Sequence, residues 1–276
     1  MRQASVIDHI GIMSKDLTPV EEIFRRLGFR HGQVSSMETG LEGEAAATNL
    51  HFMFDNSYLE CICSKPGDYL SVYLHSPSAL HTVVLSSSNI QKSHQLLQEA
   101  GKEVSQVMEA SRPADHGENK GMARFGWLNL GQSPIPSTLL GVAEHLTPNL
   151  IYQPHRYQHE NSAFRIARLV VNSGDEQRKG DFIKGFGELQ EILRPAADSG
   201  HLIDEIEFCT DDELSSRYGV TQDWRRSHYA GLVFAVSDWE ALKKFTDHCG
   251  YAIKEKEILV VDVCEQLGLF LGFQAK

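Results

Sequence analysis

One spacing recurs four times along this chain. An Asp or Asn stands twelve residues before a Gly, at Asp16 and Gly28, Asn89 and Gly101, Asp175 and Gly187, and Asp238 and Gly250. An apolar, strand-like run precedes each pair, and an amphipathic segment lies inside it. In the first unit the run Val6 to Met13 leads to Asp16, and Leu17, Val20, Phe24 and Leu27 then fall on one helical face. Thr18 to Glu21 reads as a capping box with proline at the first helical position, and Ser88 to Gln91 and Ser237 to Glu240 read as two more. The Gly ends the helix because it tolerates positive φ. Strand-like runs follow each helix, among them "NLHFMFDNSYLECIC", "ARFGWLNL", "STLLGVAEHL", "HLIDEIEFC" and "EILVVDVCEQLGLFLGF". The chain is therefore read as α+β, built from four strand–helix–strands units. The copies start about 60–90 residues apart, too far for a solenoid, so pairs of units forming two domains are expected. The segment Thr147 to Ala163, rich in Pro, Asn and His, is the expected linker. It divides residues 1–150, with units one and two, from residues 162–276, with units three and four.

Bulk properties narrow the function. The 276 residues carry a formal charge of −11, which disfavours nucleic acid as a partner because phosphate binding needs a basic field. Five cysteines with no C-x-x-C pair fit reduced thiols in a cytoplasmic protein. The first residues enter a strand pattern directly, and no run of about 18 apolar residues could span a membrane. G-x-G-x-x-G, P-loop, G-x-S-x-G and H-E-x-x-H signatures are absent. A small-molecule substrate is the expected partner, and a homodimer stays open.

The stretch "DHIGI", the loop Asp16, the ending "LGF" and the strand "YLECI", set in the fourfold repeat, resemble the vicinal oxygen chelate superfamily. This is the group of glyoxalases, bleomycin-resistance proteins and extradiol dioxygenases. "GEAAATNLHFMF" and "EHLTPNLIY" look like a glyoxalase-like subgroup. The resemblance implies four βαβββ modules, paired into two glyoxalase-like domains with curved mixed sheets. Each pair of modules would curl into a cup with a divalent ion (Zn, Ni, Mn or Fe) at its centre, held by the first and last strands of each unit. Carried onto this chain, the ligands are expected at His9, Glu60, His81 and Glu144, with His145 beside the last. Glu60 or Glu144 would also serve as general base.

His9 alone reads as a hydrogen-bonded core histidine; its apparent counterpart His81 turns it into half of a pair. Glu60, between Leu59 and Cys61 in a buried strand, wants a cation or a donor. Units three and four place Arg168 and Ala230 or Gly231 at the first position, so that half is expected to lack a metal. Asn49, His51, Arg124 and His145 are candidate substrate contacts. Arg112, Asp115 and His116 fall in an expected loop over the cup, and Trp127, Trp224 and Trp239 are expected in cores. The leading expectation is a metal-dependent isomerase or lyase acting on a small molecule with vicinal oxygens. Ring-cleaving dioxygenation and metal-free sequestration of a ligand are the alternatives.

Overall fold

A computed structural model describes residues 2–32, 34–39, 47–64, 78–114, 121–197, 200–221, 227–256 and 258–276. Asp115, His116 and Trp224 lie outside them. Unit one comprises strand β2 (Ile7–Ser14), helix α1 (Thr18–Arg26) and strands β3 (Ser35–Thr39), β4 (Ala47–Met53) and β5 (Tyr58–Ser64). Unit two repeats the order with β6 (Ala79–Ser86), α2 (Ile90–Glu99), β7 (Met108–Ala114), β8 (Gly121–Asn129) and β9 (Leu139–His145). Their eight strands close into a barrel in the order β2-β5-β4-β3-β7-β8-β9-β6. The units meet along two antiparallel seams, β2 with β6 and β3 with β7. At the first seam a Cβ on Gly11 would meet the Thr82 Cβ at 2.9 Å, so glycine lets these strands close up.

The recurring Asp or Asn works as a helix cap. Asn89, Asp175 and Asp238 accept from the backbone N–H three residues on, at 2.9, 2.8 and 3.0 Å. Asp16 accepts from Thr18 N at 2.9 Å. The expected boxes at Thr18, Ser88 and Ser237 do not form: α2 is capped by the side chain of Asn89 and the helix after Asp238 by that of Asp238, and the N-cap of α1 is Leu17, whose side chain makes no cap bond. A reciprocal box forms at Thr210 and Glu213 instead. Gly28, Gly101 and Gly250 take φ of +79°, +70° and +80°. Gly187 does not stop its helix, which runs on to Leu193.

Unit three is β10 (Ala163–Gly174), α4 (Glu176–Leu193) and β11 (Glu205–Thr210). One strand follows its helix, and helix α5 (Asp211–Tyr218) comes next. Leu214 and Tyr218 of α5 pack with Val170, Cys209, Val233 and Phe270 in one apolar cluster. Strand β1 (Arg2–Ala4) runs antiparallel beside β11. Unit four is complete, with β12 (Tyr229–Val236), α6 (Trp239–Thr246), β13 (Ala252–Glu255), β14 (Leu259–Asp262) and β15 (Phe270–Ala275). The second sheet reads β1-β11-β10-β12-β15-β14-β13.

The segment after β9 is packed against unit one. It begins with the short helix α3 (Pro148–Ile151). His159 Nε2 donates to Met53 O at 3.0 Å, and Asn161 Nδ2 to Leu27 O at 2.6 Å. One apolar core then spans both sheets, with Phe29 and Phe54 at 5.0 and 5.1 Å from Phe234. Among the described residues no helix is long and apolar enough to cross a membrane.

Candidate functional site

The barrel encloses a cavity of about 90 Å³, several times the room one water needs. Its polar wall carries His9, His51, Glu60 and His145, and its apolar wall includes Phe125 and Trp127. Trp127 is thus a cavity residue as well as packing material, whereas Trp239 joins the core as expected.

Strand register explains which residues arrive. Seven positions before each capping residue stand His9, Thr82, Arg168 and Gly231. His81 is eight before Asn89, and a one-residue slip sends a strand side chain to the opposite face. It is fully buried with Nδ1 3.3 Å from Ser137 O, and Thr82 lines the cavity in its place. The last strands obey the same rule. Gly11 pairs with Glu60, and the matching pairs in the other units are Val84 with Gly141, Val170 with Glu207, and Val233 with Gly272. Glu144 points away from the cavity, and its Oε2 accepts from Ile90 N at 2.8 Å. There it caps α2, a favourable place for negative charge. The four expected ligands therefore do not converge: His9 and Glu60 face the cavity, while His81 and Glu144 do not.

His51 stands directly opposite Glu60 on β4, with Nε2 3.4 Å from Glu60 Oε1. Asn49 Nδ2 donates to the same oxygen at 3.1 Å and its Oδ1 accepts from Ser35 Oγ. His9 Nε2 lies 4.0 Å from Glu60 Oε2. Burial works against the Glu60 charge, yet His51, His9 and Asn49 together bring its carboxyl down to about 2. Burial and the Arg112 charge push His51 down to about 4, so its imidazole is neutral at pH 7. Arg124, expected to contact substrate, is on the outer surface with Glu109, 3.3 Å away. Arg112 belongs to strand β7 rather than a loop, and it reaches the cavity.

Asp8 was hidden in the sequence by strand alternation. A register shift in β2 between Ile7 and His9 brings it beside the site. Its Oδ1 accepts from His9 Nδ1 at 2.6 Å and His145 Nε2 at 2.9 Å, and its Oδ2 from the Tyr152 hydroxyl at 2.6 Å. Burial opposes the charge, but His145 and His9 hold this carboxyl far below the usual range. With Asp8 ionised, both ring nitrogens facing it donate, which leaves His9 Nε2 directed toward Glu60. Tyr58 stacks on the His9 ring at 4.3 Å and 14°, fixing its plane. The only sequence signal for Asp8 was a charged residue next to His9 in an apolar run.

Asp8, His9 and His145 bring three donor atoms within 4.8 Å, a group able to hold a metal. Two of these separations, 2.6 and 2.9 Å, are hydrogen-bond lengths. Two donors bound at about 2.1 Å to one ion stand about 3–4 Å apart. The separations across Glu60 are 3.4 Å from His51 Nε2 to Oε1 and 4.0 Å from His9 Nε2 to Oε2, and among the described residues the Asp8 trio is the group whose three atoms all lie within 4.8 Å of one another. The trio around Asp8 is thus a hydrogen-bonded support behind His9.

The second sheet offers an internal comparison. Glu207 and Arg168 occupy the places of Glu60 and His9 and form an ion pair at 3.3 Å. Glu207 is fully buried and also meets Arg2, Arg217 and the Tyr218 hydroxyl. Its buried charge is compensated by guanidinium groups. At Gly231 the space of a side chain is taken by the Phe270 ring, 2.4 Å from a built Cβ.

A barrel of two βαβββ units with a carboxylate and imidazoles on its inner wall defines a vicinal oxygen chelate fold. The glyoxalase-like domain family model matches residues 7–180, and the chain belongs to that family. No curated protein matches significantly. Among solved structures, 4-hydroxymandelate synthase from Streptomyces coelicolor is similar at 10% identity and TM-score 0.58, over 99% of this chain and 92% of that one. A hypothetical protein from Staphylococcus aureus is similar at 11% identity and TM-score 0.55, over 98% and 99%. At such identities these likenesses show the fold.

Proposed function

We propose that the chain is a divalent-metal enzyme of the isomerase or lyase type, acting on a small oxygen-bearing organic molecule in the barrel cavity. The observation that carries this reading is the contrast between Glu60 and Glu207. Both are buried carboxylates at equivalent positions, but Glu207 has guanidinium partners, whereas among the described residues Glu60 is met by Asn49 and imidazoles. A cation at Glu60 completes the balance. His9 Nε2, His51 Nε2 and Glu60 would hold it once the two rings turn in toward Glu60, each imidazole presenting a nitrogen lone pair as a metal requires. When bound, such an ion supplies Lewis-acid polarisation of a substrate oxygen.

The chain's own residues do the rest. Asp8 orients the His9 ring through Nδ1, the role that outer partners play at metal sites. Tyr58 keeps the ring flat against it. The apolar wall at Phe125 and Trp127 displaces water from the bound molecule. Glu60 Oε2, the oxygen that Asn49 does not engage, would be the one to take a substrate proton. Residues 1–150 form the working domain in this reading and 162–276 its metal-free support.

Two imidazoles and one carboxylate are also the ligand complement of non-haem iron oxygenases, so the second reading is Fe(II)-dependent ring cleavage. Metal content after loading with Zn, Ni, Mn or anaerobic Fe(II) tests the proposal. About one ion per chain is expected in wild type and in His81→Ala and Glu144→Gln, and little in His9→Ala, His51→Ala or Glu60→Gln. Less than about 0.1 ion in wild type with every metal overturns it in favour of metal-free ligand binding. Yellow ring-fission product from a catechol with the iron form selects the oxygenase.

A further inference from the structure

We infer that Arg112 is the anion-binding residue of the barrel cavity, and that its ligand is a small organic acid with a flat, apolar body. The inference rests on reading the cavity as the substrate site, but not on a metal being there. On β7 the inward positions are Ala110, Arg112 and Ala114, and both alanines are buried. Two of the smallest side chains thus flank a long cationic one, which leaves its guanidinium room to meet a ligand. Arg112 lines the cavity together with Phe125, Trp127 and Tyr58. It has no ion-pair partner among the described residues. Arg165 and Arg168, also drawn out of bulk water, each hold a carboxylate.

Placing a guanidinium in an apolar cavity costs solvation unless an anion pairs with it. Its planar fork matches a carboxylate through two parallel hydrogen bonds. Phe125, Trp127 and Tyr58 suit a flat ring beyond that carboxylate. The Arg112 charge is felt at His51 and Tyr58, so an acid docked on it lies near the His9, His51 and Glu60 group. Glu60, which also lines the cavity, repels the anion. The two charges together fix one orientation, with the carboxylate at Arg112.

Benzoate and its neutral isostere benzamide test this, read by quenching of tryptophan fluorescence in chelator-treated protein, where Trp127 is the tryptophan lining the cavity. Wild type is expected to bind benzoate at least about tenfold more tightly than benzamide, the size of one charge-assisted pair. Arg112→Gln is expected to bring the two within about twofold, and Arg112→Lys to keep part of the preference. Equal binding of the two probes by wild type, no saturable binding of benzoate, or a preference that survives in Arg112→Gln overturns the inference. The wild-type comparison stands even if Arg112→Gln does not fold. Working without metal separates the two readings. A chain that takes up no metal but prefers benzoate through Arg112 sinks the metal proposal alone. A chain that takes up metal but ignores the benzoate charge sinks this inference alone.

Discussion

Replacing Asp8 by Asn probes the support behind His9. In the native protein one ionised carboxylate, 3% exposed, accepts from three donors at 2.6, 2.9 and 2.6 Å. Asparagine keeps the shape but turns one acceptor atom into a donor. At least one of His9, His145 and Tyr152 then faces an N–H group and loses its bond. A lost charge-assisted bond costs about 1.5–3 kcal/mol, and the survivors weaken by about 1 kcal/mol each. Relief of charge burial returns part of this, leaving a loss of about 3 kcal/mol, or roughly 5–10 °C in Tm for a chain of this size. Tyr152→Phe removes one of the same bonds, at about 1–2 kcal/mol. Because both variants act on one carboxylate, their effects are expected to be non-additive. The native stabilisation by Asp8 is also pH-dependent. Its folded pKa is depressed, so the contribution is present above the unfolded value of about 3.9 and is lost as pH falls below it. Urea denaturation of metal-free wild type, Asp8→Asn, Tyr152→Phe and the double variant, at pH 7 and pH 3, measures all of this. A stability loss under about 0.5 kcal/mol for Asp8→Asn, or strict additivity with Tyr152→Phe, refutes the reasoning.

Other outcomes follow from neighbouring features. Burial pushes His159 down to about 4 from 6.5, so the unfolded chain binds its proton first on acidification. Native stability is then lost by about 3 kcal/mol as pH falls from about 6.5 to about 4, and His159→Gln should flatten that part of a stability–pH curve. Glu144→Gln should cost about 1 kcal/mol as a weakened helix cap, with metal content unchanged by elemental analysis. Arg168→Met leaves Glu207 with fewer partners and should cost about 3 kcal/mol by denaturation. Gly11→Ala should destabilise the barrel by about 1–3 kcal/mol through its contact with Thr82.

Much of the fold was legible because the spacing from Asp or Asn to Gly carries a mechanism at both ends. The side chain caps the helix, and in three units the glycine leaves it with positive φ. Unit three departs where that logic is weakest: Gly187 stays helical, and the strands expected after β11 give way to a helix capped by Thr210. In the site, His9, Glu60, Asn49 and His51 were legible as polar residues in apolar strands. His81 and Glu144 each lie one residue from an inward position, a distance that composition does not resolve. Asp8 depended on a local register shift, and Arg112 on recognising a strand in a segment read as loop.

The central claim is that Glu60, unlike Glu207, awaits a metal. Its most direct test is the anomalous difference map of crystals soaked in a divalent transition metal. The account predicts one peak inside the barrel at about 2.0–2.2 Å from His9 Nε2, His51 Nε2 and a Glu60 oxygen. A peak between Asp8, His9 Nδ1 and His145, or an empty barrel at full soaking concentration, contradicts it.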